Sequence, residues 1–95
     1  MITVVAKNVL KSGTKETVLA LLDELIALTR KETGNIRYEL YQLDGAPDTL
    51  CFIEEWASRE ALAAHVNSEH FQRIIPQIAA YKVSETPIEI YHKIR

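Results

Sequence analysis

The sequence predicts an α+β domain in which an antiparallel sheet of the ferredoxin-like, split β-α-β plan carries its helices on one face. Three observations lead there. Strand-like and helical runs alternate in the order β, α, β, β, α (with an extra helical piece), β; the middle two strands are joined by turn residues; and no linker, repeat or low-complexity stretch divides the 95 residues. Residues 1–95 are therefore read as a single domain.

Ile2 to Val9 is β-branched or apolar over most of its length and ends at Lys11-Ser12-Gly13, which marks a first strand. Val18, Leu21, Leu22, Leu25 and Leu28 then recur at helical spacing, with Glu16, Asp23, Arg30 and Lys31 on the other side. Ser12 or Thr14 is the expected N-cap of this helix and Gly34 its expected C-cap. Ile36 to Leu43 alternates at period two, Asp44-Gly45-Ala46-Pro47-Asp48 supplies turn chemistry, and Leu50 to Trp56 is apolar and aromatic, so these runs form a hairpin. Ser58 is placed to cap a second helix through Asn67, with Leu62, His65 and Val66 on one stripe. Ser68 is placed to cap a third, with Phe71, Ile74, Ile75 and Ile78 on another. Pro76 removes a hydrogen bond from that third helix at a cost of ~3 kcal/mol, which predicts a kink or break. Ile88 to Ile94, with Ile88, Ile90, His92 and Ile94 on one face, completes the sheet.

A formal charge of −2, with no run of Lys or Arg, gives little attraction to nucleic acid or to an anionic lipid surface, so neither is an expected partner. One cysteine, Cys51, excludes an intrachain disulfide framework and a cysteine-rich zinc module. No apolar stretch is long enough to span a bilayer and the start lacks the order of a secretory signal, so a soluble, cytoplasmic protein is expected. The sheet face turned away from the helices should alternate apolar with polar residues if it meets water. Instead it carries Val5, Val9, Tyr41, Leu43, Cys51, Ile53 and Tyr91, which predicts a homodimer packed through that face.

Phe52, Glu54 and Trp56 project to one side of the third strand, setting a carboxylate between two aromatic rings. Glu54 is then either a base or anchor in an aromatic pocket, its pKa raised by desolvation, or a structural partner of some Lys or Arg. His65, on the inward stripe of its helix, is either a proton-transfer group or a packed core histidine. His70 lies five residues on, which turns it off the His65 face and argues against joint metal coordination; no metal ligand is expected. Asn8 either orients an oxygen in a cavity or ends its strand, His92 is expected at the dimer interface, and Cys51 is expected to be inert. Gly13, Gly34 and Gly45 stand too far apart for a phosphate-binding loop.

Three strings carry a resemblance: Glu32-Thr33-Gly34-Asn35-Ile36-Arg37-Tyr38-Glu39-Leu40-Tyr41, Phe52-Ile53-Glu54-Glu55-Trp56, and Glu60-Ala61-Leu62-Ala63-Ala64-His65-Val66-Asn67-Ser68-Glu69-His70-Phe71. In order and spacing the chain resembles the antibiotic biosynthesis monooxygenase family. That family's pattern runs Glu-x-Gly, then Glu-x-Trp or Glu-x-Tyr, then Ala-x-x-x-His followed by Ser or Thr, His and an aromatic. The resemblance implies a dimeric α+β barrel with sheets face to face. It implies, for the best understood members, oxidation of quinols or related phenolic rings by dioxygen without flavin, haem or metal, so no cofactor is expected. Carried over, Glu54, Trp56, His65, Tyr38, His70 and Phe71 match the pattern. Asn8 corresponds to an asparagine that haem-degrading relatives use near their cofactor. The region of those relatives' haem-ligating histidine falls around Ile75 and Pro76, which disfavours haem here.

The leading expectation is thus a monooxygenase for a small aromatic or quinol-like substrate. His65 first and Glu54 second are candidate bases, Asn8 steadies developing oxygen charge, and Trp56, Tyr38, Phe71 and His70 wall the substrate. Two alternatives stand beside it. One is an isomerase or degrading enzyme for a small phosphorylated signal, with Arg37, Lys7 and Arg73 as the available cations; the other is a non-catalytic small-molecule-binding dimer.

Overall fold

The computed structural model describes residues 1–95 and runs β1 (Ile2–Val9), α1 (Lys15–Thr29), β2 (Asn35–Leu43), β3 (Ala46–Trp56), α2 (Arg59–Val66), α3 (Glu69–Ala79) and β4 (Glu89–Tyr91). The strands lie in the order β2-β3-β1-β4, every neighbouring pair antiparallel, which is the ferredoxin-like arrangement. Side-chain alternation sorts the faces. Ile2 and Val4 of β1, Tyr38 of β2, and Leu50, Phe52, Glu54 and Trp56 of β3 are buried beneath the helices, against Val18, Leu22 and Leu25 of α1 and Ile74 and Ile78 of α3. In register, Val4 faces Glu54, Ala6 faces Phe52 and Asn8 faces Leu50, while Tyr38 faces Glu54 from the other side.

Several local expectations change. Thr14 is the N-cap of α1, but its hydroxyl donates to the Lys11 carbonyl instead of capping the helix, and the C-cap is Arg30 rather than Gly34. Gly34 instead serves packing. A Cβ there would run into the Ala61 side chain, so the glycine lets the start of β2 pass close under α2. Gly34→Ala is expected to cost about 1–3 kcal/mol through this overpacking, read as a lower urea midpoint; an unchanged midpoint would mean that α2 yields freely. α3 continues unbroken through Pro76, because burial of Ile74 and Ile78 on either side offsets one missing backbone bond. β4 is only three residues long, so Ile88, His92 and Ile94 lie outside it, and His92 is an exposed residue near the Arg59 guanidinium.

The serine caps are as expected. Ser58 Oγ accepts from the Ala61 N–H at 3.1 Å, and Ser68 Oγ accepts from the Phe71 N–H at 3.3 Å while donating to the His65 carbonyl at 2.6 Å. Ser68 is extended (φ −69°, ψ 155°), so the chain turns sharply between α2 and α3. On the outer sheet face Tyr41, Leu43 and Tyr91 are exposed and Val5, Val9, Cys51 and Ile53 half-buried. Among them sits a paired polar group: Arg37 Nε donates to Glu39 at 2.9 Å and the Tyr41 hydroxyl donates to Glu39 at 2.6 Å. No helix is long and apolar enough to cross a membrane.

Candidate functional site

A cavity of about 210 Å³ lies between the helices and the inner sheet face. Its floor is the inward set of β1 and β3, namely Val4, Ala6 and Asn8 beside Glu54, Phe52 and Leu50, continued by Leu10 just past the end of β1; its roof includes Leu22, Leu62, His65, Phe71 and Ile78. The lining is mainly apolar, so the few ionisable groups that reach it stand in a poorly solvating medium.

Glu54, 5% exposed, accepts a hydrogen bond from Trp56 Nε1 at 2.9 Å. Burial pushes its pKa up to about 7, against the smaller opposing pull of the Trp56 N–H, and the Glu32 charge adds to the rise. His65, 2% exposed, has its Nδ1 at 2.8 Å from Glu32 Oε2. A carboxylate only accepts, so Nδ1 carries the hydrogen and the lone pair stays on Nε2, which has no protein hydrogen-bond partner. Burial holds the His65 pKa below its ordinary 6.5, against the raising effect of Glu32, so the ring is neutral near pH 7. Aromatic rings fix it on three sides: Trp56 at 4.6 Å, Phe71 at 5.0 Å and Tyr38 at 5.4 Å between centroids. Tyr38 in turn stacks on Phe52 at 4.6 Å. Burial, with the Glu54 and Glu32 charges, raises the Tyr38 pKa far above the phenol range, so Tyr38 is a donor and not a base; the Thr29 hydroxyl approaches it without reaching full hydrogen-bond geometry.

The expected residues thus divide. His65, Glu54, Tyr38, Phe71 and Asn8 all line the cavity, with the Asn8 amide donating to the Ala6 carbonyl at 3.3 Å. Trp56, wholly buried, lies behind Glu54 and His65 and does not reach the cavity wall. His70 lies off the cavity, its Nε2 donating to Glu32 Oε2 at 2.7 Å. Here the spacing argument fails: the turn at Ser68 brings both imidazoles to one carboxylate, and the three donor atoms fall within 4.8 Å of one another. Glu32, His65 and His70 could hold one metal ion. The two contacts to Glu32 already have hydrogen-bond lengths, however, and account for the arrangement without an ion. Of the proposed phosphate-binding cations, Arg73 is bound to Glu24 and Glu69 and Arg37 to Glu39 and Glu55, and neither lines the cavity; Lys7 stands at its edge. Burial raises the Cys51 thiol pKa, so it is no ready nucleophile.

Glu32 is the group that sequence reasoning missed. It lies in the α1–β2 connection, 33 positions from His65, in the tight turn where its N–H donates to the Thr29 carbonyl and its carbonyl accepts from Asn35. Its only signal was its place in the Glu-x-Gly string.

Residues 1–77 match the family model described as antibiotic biosynthesis monooxygenase. The crystal structure of an antibiotic biosynthesis monooxygenase superposes with a TM-score of 0.96 at 33% identity, covering 100% of both chains. The uncharacterized protein sll1783 of Synechocystis is 31% identical over 94 residues, 87% of this chain; the match spans 64% of that protein's length. YcnE of Bacillus subtilis, provisionally named a monooxygenase, is 29% identical over 75 residues, 79% of each chain.

Proposed function

The chain belongs to the antibiotic biosynthesis monooxygenase family, and from that premise we propose that it oxidises a small quinol or phenol with dioxygen in the cavity, without flavin, haem or metal. One observation carries the reading: two ionisable groups on one apolar, aromatic-lined cavity have their pKa values pushed in opposite directions, His65 down and Glu54 up. Such divergence supports a reading with His65 as the base and Glu54 as the acid.

His65 Nε2 takes the phenolic proton, and Glu32 holds the ring in the required tautomer and steadies the imidazolium. The electron-rich ring passes an electron to dioxygen, and the pair joins as a peroxide at a hydrogen-bearing ring carbon ortho or para to the oxygen. Glu54 protonates the outer peroxide oxygen. As glutamate it then takes the proton from that ring carbon while the O–O bond breaks, and the imidazolium protonates the departing hydroxide. One oxygen atom ends in the new carbonyl and the other in water; the substrate supplies all the electrons, and both residues return to their starting states. The Tyr38 hydroxyl is the donor available to developing oxygen charge, whereas Asn8, paired with Leu50 in register, stands about 13 Å along the cavity floor from Glu54.

The test is oxygen uptake across a quinol panel, corrected for air oxidation and repeated after chelation. Uptake that follows the protein and survives a chelator supports the proposal. Absence of uptake across the panel transfers the cavity to the signal-processing or non-catalytic binding role; of these, the first is weakened by the engagement of Arg37 and Arg73.

We also propose that a second copy of the chain covers the outer face, where Tyr41, Leu43 and Tyr91 are exposed beside Ile53 and Val5. Sedimentation at micromolar concentration is expected to give about twice the 10.8 kDa chain mass. A monomer would remove that interface.

A further inference from the structure

The cavity has two chemically different ends. Along β3 its floor passes from Glu54 through Phe52 to Leu50, and along β1 from Val4 to Leu10. Glu54 and Leu50 are four residue rises apart along the strand, about 13 Å. At the first end stand His65, Glu54 and Tyr38; between the ends the walls are Val18, Leu22, Leu50 and Ile78. At the far end is Lys82, bridged to Leu10 at the close of β1 and fixed there by backbone bonds on both sides, Lys11 N–H to the Tyr81 carbonyl and Val83 N–H to the Val9 carbonyl, each 2.8 Å.

The Lys82 side chain is only 12% exposed, yet the one partner of its ammonium is Glu85 at 3.2 Å, a side chain 77% exposed. An ammonium has three donors, so the Lys82 ammonium, on a cavity-lining residue and held by a single solvent-facing carboxylate, has capacity left for another acceptor. Volume points the same way. A cavity of ~150 Å³ accepts benzene, so about 210 Å³ holds one ring with room for a short substituent.

We propose that Lys82 is the binding site for an anionic tail, and that the ligand is a single phenolic ring at the His65–Glu54 end with a short apolar chain ending in a carboxylate at Lys82. One ammonium, with no guanidinium fork beside it, suits a monoanionic carboxylate better than a phosphate. The placement of the ring at the first end rests on the function proposed above; the anion site at Lys82 does not require oxidation to occur.

Air-stable phenols separate the two. Calorimetric titration with 4-hydroxyphenyl alkanoates of increasing chain length, and with their methyl esters, should give at least about tenfold tighter binding of the acids, with an optimum chain length set by the span to Lys82. The preference should vanish in Lys82→Met, persist in Lys82→Arg and increase in Glu85→Gln, where the competing carboxylate is gone. Esters that bind as well as acids, or a preference unchanged in Lys82→Met, would overturn the anion site while leaving quinol oxidation standing. Failure of every phenol to bind the wild-type protein would remove both readings.

Discussion

Replacing His65 by alanine is expected to lower turnover of a quinol-type substrate by on the order of 10² or more, because the reaction loses the group that accepts the phenolic proton. The wild-type rate should rise with pH through the pKa of His65, which burial sets below 6.5. Since alanine also opens space in a buried site, Glu32→Gln is the finer variant. It leaves an oxygen to accept from Nδ1 but removes the charge that favours the imidazolium, so the acid limb of the pH–rate profile should move to lower pH and the rate should fall. Losses in Glu32→Gln and His65→Ala should not add, because Glu32 acts through His65. Unchanged oxygen uptake in His65→Ala would take the residue out of the mechanism. An acid limb that stays in place in Glu32→Gln would reduce Glu32 to a packing partner.

What the residues disclosed before the structure, and what they withheld, follows from where the information lies. The pairing of β2 with β3, the inward set Phe52-Glu54-Trp56 and the caps Ser58 and Ser68 depend on neighbours in sequence, and local periodicity or capping chemistry reads them correctly, although Ala46-Pro47-Asp48, expected in the turn, already belong to β3. His65 and Glu54 were legible as a histidine and a carboxylate on otherwise apolar inward faces. Glu32 was not, since a loop residue has no period and its partners are 33 and 38 positions away. His70 was misplaced because a helical-wheel angle was carried across the turn at Ser68, where helical rotation no longer holds. Trp56 shares a strand face with Glu54, yet it lies beyond the end of the cavity; alternation assigns a face but not a depth. The short β4 shows the same limit. Apolar alternation from Ile88 to Ile94 promises a longer strand, but pairing with β1 extends only over Thr3 to Val5.

Glu54→Gln is expected to stabilise the protein in mild alkali while damaging catalysis. The folded-state pKa of Glu54, about 7, lies above its ordinary 4.5, so the native state holds the proton more tightly than the unfolded chain does. The stability linked to that proton is complete below about pH 4.5 and is lost as pH rises through about 7. At about 1.4 kcal/mol per pKa unit, the wild-type protein gives up roughly 3 kcal/mol by pH 8. Glutamine cannot ionise and retains an oxygen for the Trp56 N–H, so urea unfolding should find Glu54→Gln more stable than wild type by up to about this amount near pH 8 and close to it near pH 4. In kinetics the same change removes the proton that Glu54 delivers to the peroxide. The fall in rate above about pH 7 expected of the wild type should disappear, and the remaining rate should be lower across the whole range. Equal stabilities at both pH values would mean that Glu54 is ionised in the native state near neutrality, and the acid in the proposed reaction would then have to be a different group.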